Sequence, residues 1–276
     1  MNLKLELEQI DLNHSSVNLD ALIEEMTLQI GSTDPVLRDE LIYTTFGKLV
    51  MENHLSESQL TRLLSTCLNE NHLFYHIGEK GTDAVFTRSF SVLVIALLLE
   101  KDRETHFLQD EQVNDTINAC FRYIREEKDT RGFVEGKGWA HSMAHGADAL
   151  TEAVKHPVFR MESMAECLDV LEACLFKEAD YVDDEDERLL FVIEALLNKG
   201  MKEERLSQWL NELHQRLASL FEENGYCVGS FHKKRNVLVF LKSCYFRLLI
   251  TNECAEARGI IEEIVERWTR KIYIGE

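Results

Sequence analysis

Residues 129–150 read DTRGFVEGKGWAHSMAHGADAL, and the rest of the chain is organised around them. This is the only stretch in which glycines, a tryptophan, two histidines and several acids occur together. Nearly all other segments have the apolar spacing of amphipathic helices. Gly132, Gly136 and Gly138 predict a flexible loop, and a helix is predicted to begin near Gly138. The stretch therefore predicts one loop and one helix with a polar face inside an otherwise helical chain.

Ionisable residues share one face of this predicted helix. At about 100° per residue, His141, His145 and Asp148 fall together, opposite an apolar stripe that includes Met143 and Leu150. A buried charge without a partner is costly, so this face must meet water, a ligand or a hydrogen-bonding group. Three interpretations stay open: a structural hydrogen-bond network, the polar wall of a binding groove, and a metal site.

The metal interpretation rests on spacing. Histidines at i and i+4 with a carboxylate three residues on can place three ligands on one helix face, which makes His141, His145 and Asp148 the candidate ligands of a divalent metal. A single helix presents such ligands in a row, so donors from elsewhere must complete the shell. No other cofactor is evident, because the glycine loop lacks the glycine spacing and the Ser or Thr after Lys137 that a phosphate loop needs.

Composition narrows the class of partner. The 276 residues contain 30 Lys and Arg against 49 Asp and Glu, for a formal net charge of −19. We therefore predict no nucleic-acid partner and no membrane partner, since both need a basic surface. An unknown protein or a small molecule is the expected ligand, and the oligomeric state is open. Scattered cysteines without a Cys-x-x-Cys pair, no long apolar run and no signal-peptide pattern predict a cytoplasmic protein.

Helix signals recur along the whole chain. Asn18 and Ser56 have the character of N-caps, and Asp34 followed by Pro35 is a typical helix start. The spacing predicts about eleven helices with short loops and no convincing strand. We therefore expect an all-α fold, an α/α-superhelix-like stack of helical hairpins, with residues 1–276 forming a single domain.

Charged residues outside the central stretch add further candidates. Arg88 lies at the start of a nearly all-apolar segment, and Glu187 and Arg188 lie where an acidic run opens a later helix. They are expected either to line a concave surface or to form structural ion pairs that tie helix starts together. Exposed pairs of the second kind contribute only ~0–1 kcal/mol each.

Several motifs resemble those of one family. The residues are 88–91 (RSFS), 131–133 (RGF), 138–148 (GWAHSMAHGAD), 185–189 (EDERL) and 236–245. Together they resemble the bacterial "domain of unknown function 2785" family, over about residues 35–255. The resemblance implies an all-helical, α/α-superhelix-like domain, and it brings no established activity, cofactor or catalytic residue.

The functional prediction is a binding module with a polar groove at the central motif. The groove candidates are Arg131, Glu135, Trp139, His141, His145 and Asp148, together with Arg88, Glu187 and Arg188. The alternative is a hydrolase, metal-dependent or not, in which His141 or His145 is the general base or metal ligand and Asp148 its orienter. We also predict that both histidines and Asp148 share one face and border the largest polar cavity of the domain, together with the loop 131–138.

Overall fold

The computed structural model describes residues 3–12 and 17–275. By internal contacts the chain divides into two compact units, Met1–Arg160 and Met161–Glu276, and each is described by itself. The expectation of a single domain over residues 1–276 stays a prediction.

The first unit consists of helices and one small hairpin. Its elements are α1 (Leu3–Gln9), α2 (Leu19–Leu28), a π-helix (Val36–Tyr43) continuing into α3 (Thr44–Met51), α4 (Glu57–Cys67), α5 (Ala84–Thr105), α6 (Asp110–Glu126), β1 (Phe133–Val134), β2 (Gly138–Trp139) and α7 (Ser142–Lys155). The helix α5 forms the centre of this unit, with α3, α4 and α7 packed against it. Its sequence accounts for this position, because apolar side chains surround most of its circumference and must be buried on several sides.

Helices are the only regular secondary structure in the described residues of the second unit. Its elements are a 3₁₀ turn (Met161–Ser163), α8 (Met164–Leu175), α9 (Glu185–Asn198), α10 (Glu203–Asn224), α11 (Val228–Thr251), α12 (Ala255–Thr269) and a π-helical turn (Arg270–Ile274). Successive helices pack on one another, α10 on α11 and α11 on α12. Trp209 and Phe240 meet edge to face at 5.9 Å between ring centroids in its core.

The predicted all-α class is confirmed, with twelve α-helices in the described residues against the eleven or so expected. The predicted helix starts hold as well. Asn18 accepts a hydrogen bond from the backbone N–H of Ala21, and Ser56 and Gln59 form a reciprocal capping box. No helix among the described residues is both long and apolar enough to cross a membrane.

The start of the central helix was predicted wrongly. The helix α7 begins at Ser142 and not near Gly138, because residues 133–139 form a β-hairpin. Phe133 pairs with Trp139 in antiparallel register, and the segment between them contains Gly136, in the turn, and Gly138, the first residue of β2, at φ of 72° and 76°. Such positive φ angles suit glycine, and they end any helical path there.

Candidate functional site

Three aromatic rings meet on the β-hairpin and form what we call the aromatic surface: Phe133, Trp139 and His141. Trp139 stacks on His141, with ring centroids 4.2 Å apart and planes 21° apart. Phe133 meets Trp139 edge to face at 5.0 Å. Phe133 is 53% exposed and Trp139 is 41% exposed. The hairpin therefore presents large apolar rings to solvent in a defined arrangement.

A buried arginine holds this hairpin from behind. Arg38 donates through Nη2 to the carbonyl oxygens of Lys137 at 2.8 Å and Trp139 at 3.1 Å. Its guanidinium lies over the ring of Phe86 at 4.2 Å, and its side chain is fully buried. Burial lowers the pKa of Arg38, and the charge of Asp39 offsets part of this effect. The hairpin backbone is thus fixed to the π-helix that begins at Val36.

Sequence reasoning did not identify Arg38. The available signal was its position on the apolar side of its own helix, one turn before the fully buried Ile42. An arginine in that position must find partners inside the protein, and here it finds backbone carbonyls about a hundred residues away in the chain.

A second tether lies at the other end of the hairpin. Arg131 donates to both carboxylate oxygens of Asp129, at 2.8 and 2.6 Å, and to the carbonyl oxygen of Thr82 at 2.6 Å. Asp129 also accepts from the backbone N–H of Gly81 at 2.8 Å. The hydrogen bond with Asp129 raises the pKa of Arg131. Arg131 therefore joins the start of the hairpin to the loop before α5.

Arg88 lies beneath this tether and is completely buried. It forms two hydrogen bonds with Glu127, Nε to Oε2 at 2.5 Å and Nη2 to Oε1 at 2.8 Å, and it donates to the carbonyl oxygen of Tyr75 at 2.9 Å. Neither side chain of the pair has exposed surface. These contacts are those of a structural ion pair, and a role of Arg88 in the groove stays a prediction.

His145 lies behind the aromatic surface in α7 and is 7% exposed. Its Nδ1 lies 3.2 Å from the carbonyl oxygen of Ser89; because a carbonyl only accepts, Nδ1 carries the proton. The ring of His145 meets His141 edge to face at 5.8 Å between centroids and Phe90 at 5.2 Å. A backbone carbonyl on one ring nitrogen is also the usual support of a histidine that acts through the other.

His141 stands at the start of the predicted helix and not inside it. It is the N-cap of α7 and has left-handed backbone angles, φ 46° and ψ 35°. This conformation turns its ring toward Trp139, while the ring still contacts His145. Asp148 lies on α7 and is half-buried. Metal binding by His141, His145 and Asp148 stays a prediction.

The remaining candidates are one residue of the hairpin turn and two residues of the second unit. Glu135 is exposed in the turn between β1 and β2. Glu187 and Arg188 belong to the second unit, in the first turn of α9. There Glu187 accepts from Arg247 at 2.6 Å. Partial burial raises the pKa of Glu187, but the hydrogen bonds from Ser243 and Arg247 lower it by more. The pKa of Glu187 therefore lies below its usual value.

None of three cavities of the described residues is lined by a residue of the hairpin. One of 450 Å³ lies between α1 and the segment 40–54 of the first unit. The second unit has one of 400 Å³ between α11 and α12 and one of 290 Å³ between α9 and α11. None of these three is lined by His141, His145 or Asp148. The predicted polar cavity at the hairpin stays a prediction.

Comparison with models of known protein families finds a match for more than half of the chain. The model of a family described as "Protein of unknown function (DUF2785)" matches residues 73–246, which include the hairpin and α7. Neither a curated protein nor a solved structure matches the chain.

Proposed function

The chain belongs to the DUF2785 family of proteins of unknown function, and on that premise we propose that it is a binding module whose ligand contacts the aromatic surface. The observation that carries the proposal is the exposed stack of Trp139 on His141, with Phe133 at its edge. Exposed aromatic rings grouped on one element are uncommon on surfaces without partners and are enriched where ligands bind.

The rigid support of the hairpin favours binding. Arg38 holds the backbone of Lys137 and Trp139, and Arg131 holds the start of the hairpin. A surface that is ordered before binding loses less conformational entropy when the ligand arrives. The two tethers therefore support a recognition role for rings that a free loop would leave mobile.

The charges near the rings indicate the ligand class. Lys137 is bound to Asp83, with Nζ to carboxylate distances of 2.6 and 2.8 Å, and Arg131 is bound to Asp129. Both cations of the hairpin are thus engaged by acids, while Glu135 is exposed. We propose a ligand with an apolar or aromatic group and no dense negative charge, in a protein or a small molecule, and not a nucleic acid.

Intrinsic fluorescence tests this proposal directly, because Trp139 is exposed while Trp209 and Trp268 are buried. A library of small molecules and peptides is screened for changes in tryptophan emission, and each hit is measured by calorimetry. Trp139→Ala should leave the melting temperature nearly unchanged and weaken binding by about tenfold or more.

The matched control for that variant is Tyr226→Ala, which removes an exposed aromatic ring in the second unit. It should leave the affinity unchanged. If hits bind Trp139→Ala and Phe133→Ala as tightly as wild type, the aromatic surface is not the binding site.

A hydrolase that uses His145 is the second candidate. The observation that favours it is the bond from Nδ1 of His145 to the carbonyl of Ser89, which holds the ring in one orientation for acid–base or metal chemistry. Metal analysis of protein purified without an affinity tag should then show near-stoichiometric divalent metal that His145→Ala loses. Metal-free wild-type protein would argue against a metal-dependent hydrolase. Ester hydrolysis that is unchanged in His145→Ala would argue against a metal-independent hydrolase that uses His145.

A further inference from the structure

One face of α11 in the second unit carries exposed apolar side chains, which we call the apolar ridge: Val239, Phe246, Leu249 and Ile250. At about 100° per residue these four lie within an arc of about 100°. Phe246 is 59% exposed and Ile250 is 82% exposed. Phe246, Leu249 and Ile250 are neighbours on this face, and the exposed Lys242 lies between them and Val239. Single exposed apolar residues are normal, but a cluster of three on one helix indicates a contact surface.

A groove lies on each side of the ridge. The groove toward α12 has a volume of 400 Å³, and Phe246, Ile261 and Val265 line it. The groove toward α9 has a volume of 290 Å³, and Ile193 and Leu248 line it. A ridge between two apolar grooves matches the surface of a helix, whose own side chains form ridges and grooves of the same spacing.

Acidic residues border both grooves. Glu262 and Glu266 lie on the α12 side, and Glu194 and Glu253 lie on the α9 side. The hydroxyl of Tyr245 donates a hydrogen bond to Glu262 at 2.5 Å. Because tyrosine is a neutral donor, the negative charge of Glu262 is not compensated.

The cations at this border compensate only part of that charge. Arg247 is shared between Glu187 at 2.6 Å and Glu194 at 2.9 Å, and Glu266 pairs with Arg270 at 2.8 Å. Lys242 is the remaining cation in the lining of the two grooves. The border is therefore net negative, in a chain whose formal net charge is −19.

We propose that the apolar ridge and its two grooves bind an amphipathic helix of a partner protein, apolar on one face and flanked by Lys or Arg. The apolar face fits against Phe246 and Ile250, and the flanking cations meet the glutamates of the border. Long-range attraction to an acidic protein speeds the encounter of such a helix. A second copy of this chain fits less well, because it brings the same acidic border and another charge of −19.

A synthetic peptide tests the proposal on the full chain. The probe is an amphipathic helix of leucine and lysine labelled with fluorescein, and the matched control peptide replaces lysine by glutamate. Fluorescence anisotropy should show binding of the first peptide only, weakening as salt rises. Phe246→Ser and Ile250→Ser should each reduce the affinity about tenfold or more.

Control variants separate this surface from general attraction to an acidic protein. Tyr226→Ser and Val228→Ser remove side chains that are 62% and 71% exposed outside the ridge, and they should leave the affinity unchanged. Glu253→Gln with Glu262→Gln should reduce both the affinity and its salt dependence. Circular dichroism confirms that each variant is folded.

Four outcomes overturn the proposal: no binding of the leucine–lysine peptide, equal binding of the leucine–glutamate peptide, ridge variants that bind like the controls, or a dimer in sedimentation equilibrium that Phe246→Ser dissociates. The last result assigns the ridge to a second copy of the chain. None of these outcomes bears on the aromatic surface, which lies in the first unit.

Discussion

Two guanidinium groups, those of Arg38 and Arg88, are completely buried in the first unit. Arg88 meets a carboxylate, and Arg38 meets backbone carbonyls of the hairpin. Burial lowers the pKa of Arg88, but the hydrogen bonds and charge of Glu127 raise it by more. The pKa of Arg88 therefore lies above its usual value. The region behind the aromatic surface is therefore held by buried charged groups, and removing the partner of such a group would destabilise the fold.

Arg88→Met tests how much the buried ion pair of Arg88 and Glu127 contributes to the stability of the fold. It leaves the Glu127 carboxylate buried without its cation, which should reduce the free energy of unfolding by about 3–5 kcal/mol. Urea unfolding followed by circular dichroism measures the change. Arg62→Met is the control, because the pair of Arg62 with Asp20 is exposed and should change stability far less. Similar losses in the two variants would contradict the structural role of Arg88.

The seven cysteines should differ in thiol reactivity. Hydrogen bonds from the Ser230 side chain and from the backbone N–H groups of Ser230 and Gly229 lower the pKa of the exposed Cys227 thiol. Burial raises the pKa of the half-buried Cys254, and the other five cysteines are buried.

A lowered thiol pKa means more thiolate at any pH below it, and thiolate is the reactive form. Ellman's reagent should therefore show one fast thiol, and its rate should rise with pH earlier than that of Cys254. Cys227→Ser should abolish the fast phase, and Ser230→Ala should slow it. A fast phase that survives Cys227→Ser would refute this assignment.

The β-hairpin is the element that decides the site. Its turn needs glycines with positive φ, its register sets Phe133 beside Trp139, and it places His141 at the N-cap of α7. An uninterrupted helix from Gly138 would have placed His141 inside that helix. The hairpin instead turns His141 toward the exposed indole, which changes a row of polar groups into an aromatic surface.

Two glycines of the hairpin form a matched pair for testing its close packing. A Cβ on Gly138 would meet Cβ of Pro35 at 2.7 Å, whereas a Cβ on Gly136 would meet nothing within 4 Å. Both have positive φ, so each change to alanine should cost roughly 1–2 kcal/mol in backbone strain. Gly138→Ala should cost more and should alter the emission of Trp139. Equal losses of stability in urea would show that the hairpin does not approach Pro35 closely.

The whole molecule has far more acids than bases, with a formal net charge of −19. Charge of one sign repels itself in the folded state and lowers its stability, while it attracts cationic partners from a distance. The same excess leaves few cations at either proposed surface, so neither one suits a polyanion. We therefore propose apolar or cationic ligands, and no polyanion, for both surfaces.

Salt should therefore stabilise the folded chain at neutral pH. Raising NaCl from about 10 to about 200 mM shortens the screening length of exposed charges, and the melting temperature should rise. The internal control is a measurement near pH 5, close to the isoelectric point of about 5.0, where the effect should nearly vanish. A melting temperature that does not respond to salt at neutral pH would contradict the repulsion.

The all-α class and most helix positions could be predicted from the amino-acid sequence. Signals such as the N-cap at Asn18 and the capping box at Ser56 are local, and the apolar period of a helix is complete within about a dozen residues. The sequence also pointed to residues 129–150 as the exceptional stretch and to the resemblance with the DUF2785 family, which is confirmed over residues 73–246.

The partners of the buried polar groups, in contrast, depend on how the helices pack in three dimensions. Arg38 binds carbonyls about a hundred residues away, and Arg88 binds Glu127 across 39 positions. No spacing rule encodes such pairs, because they depend on which helices pack together. For the same reason, the sequence identified Trp139 and His141 as candidates, but their stacking required the turn and the buried arginine that hold the hairpin against Pro35.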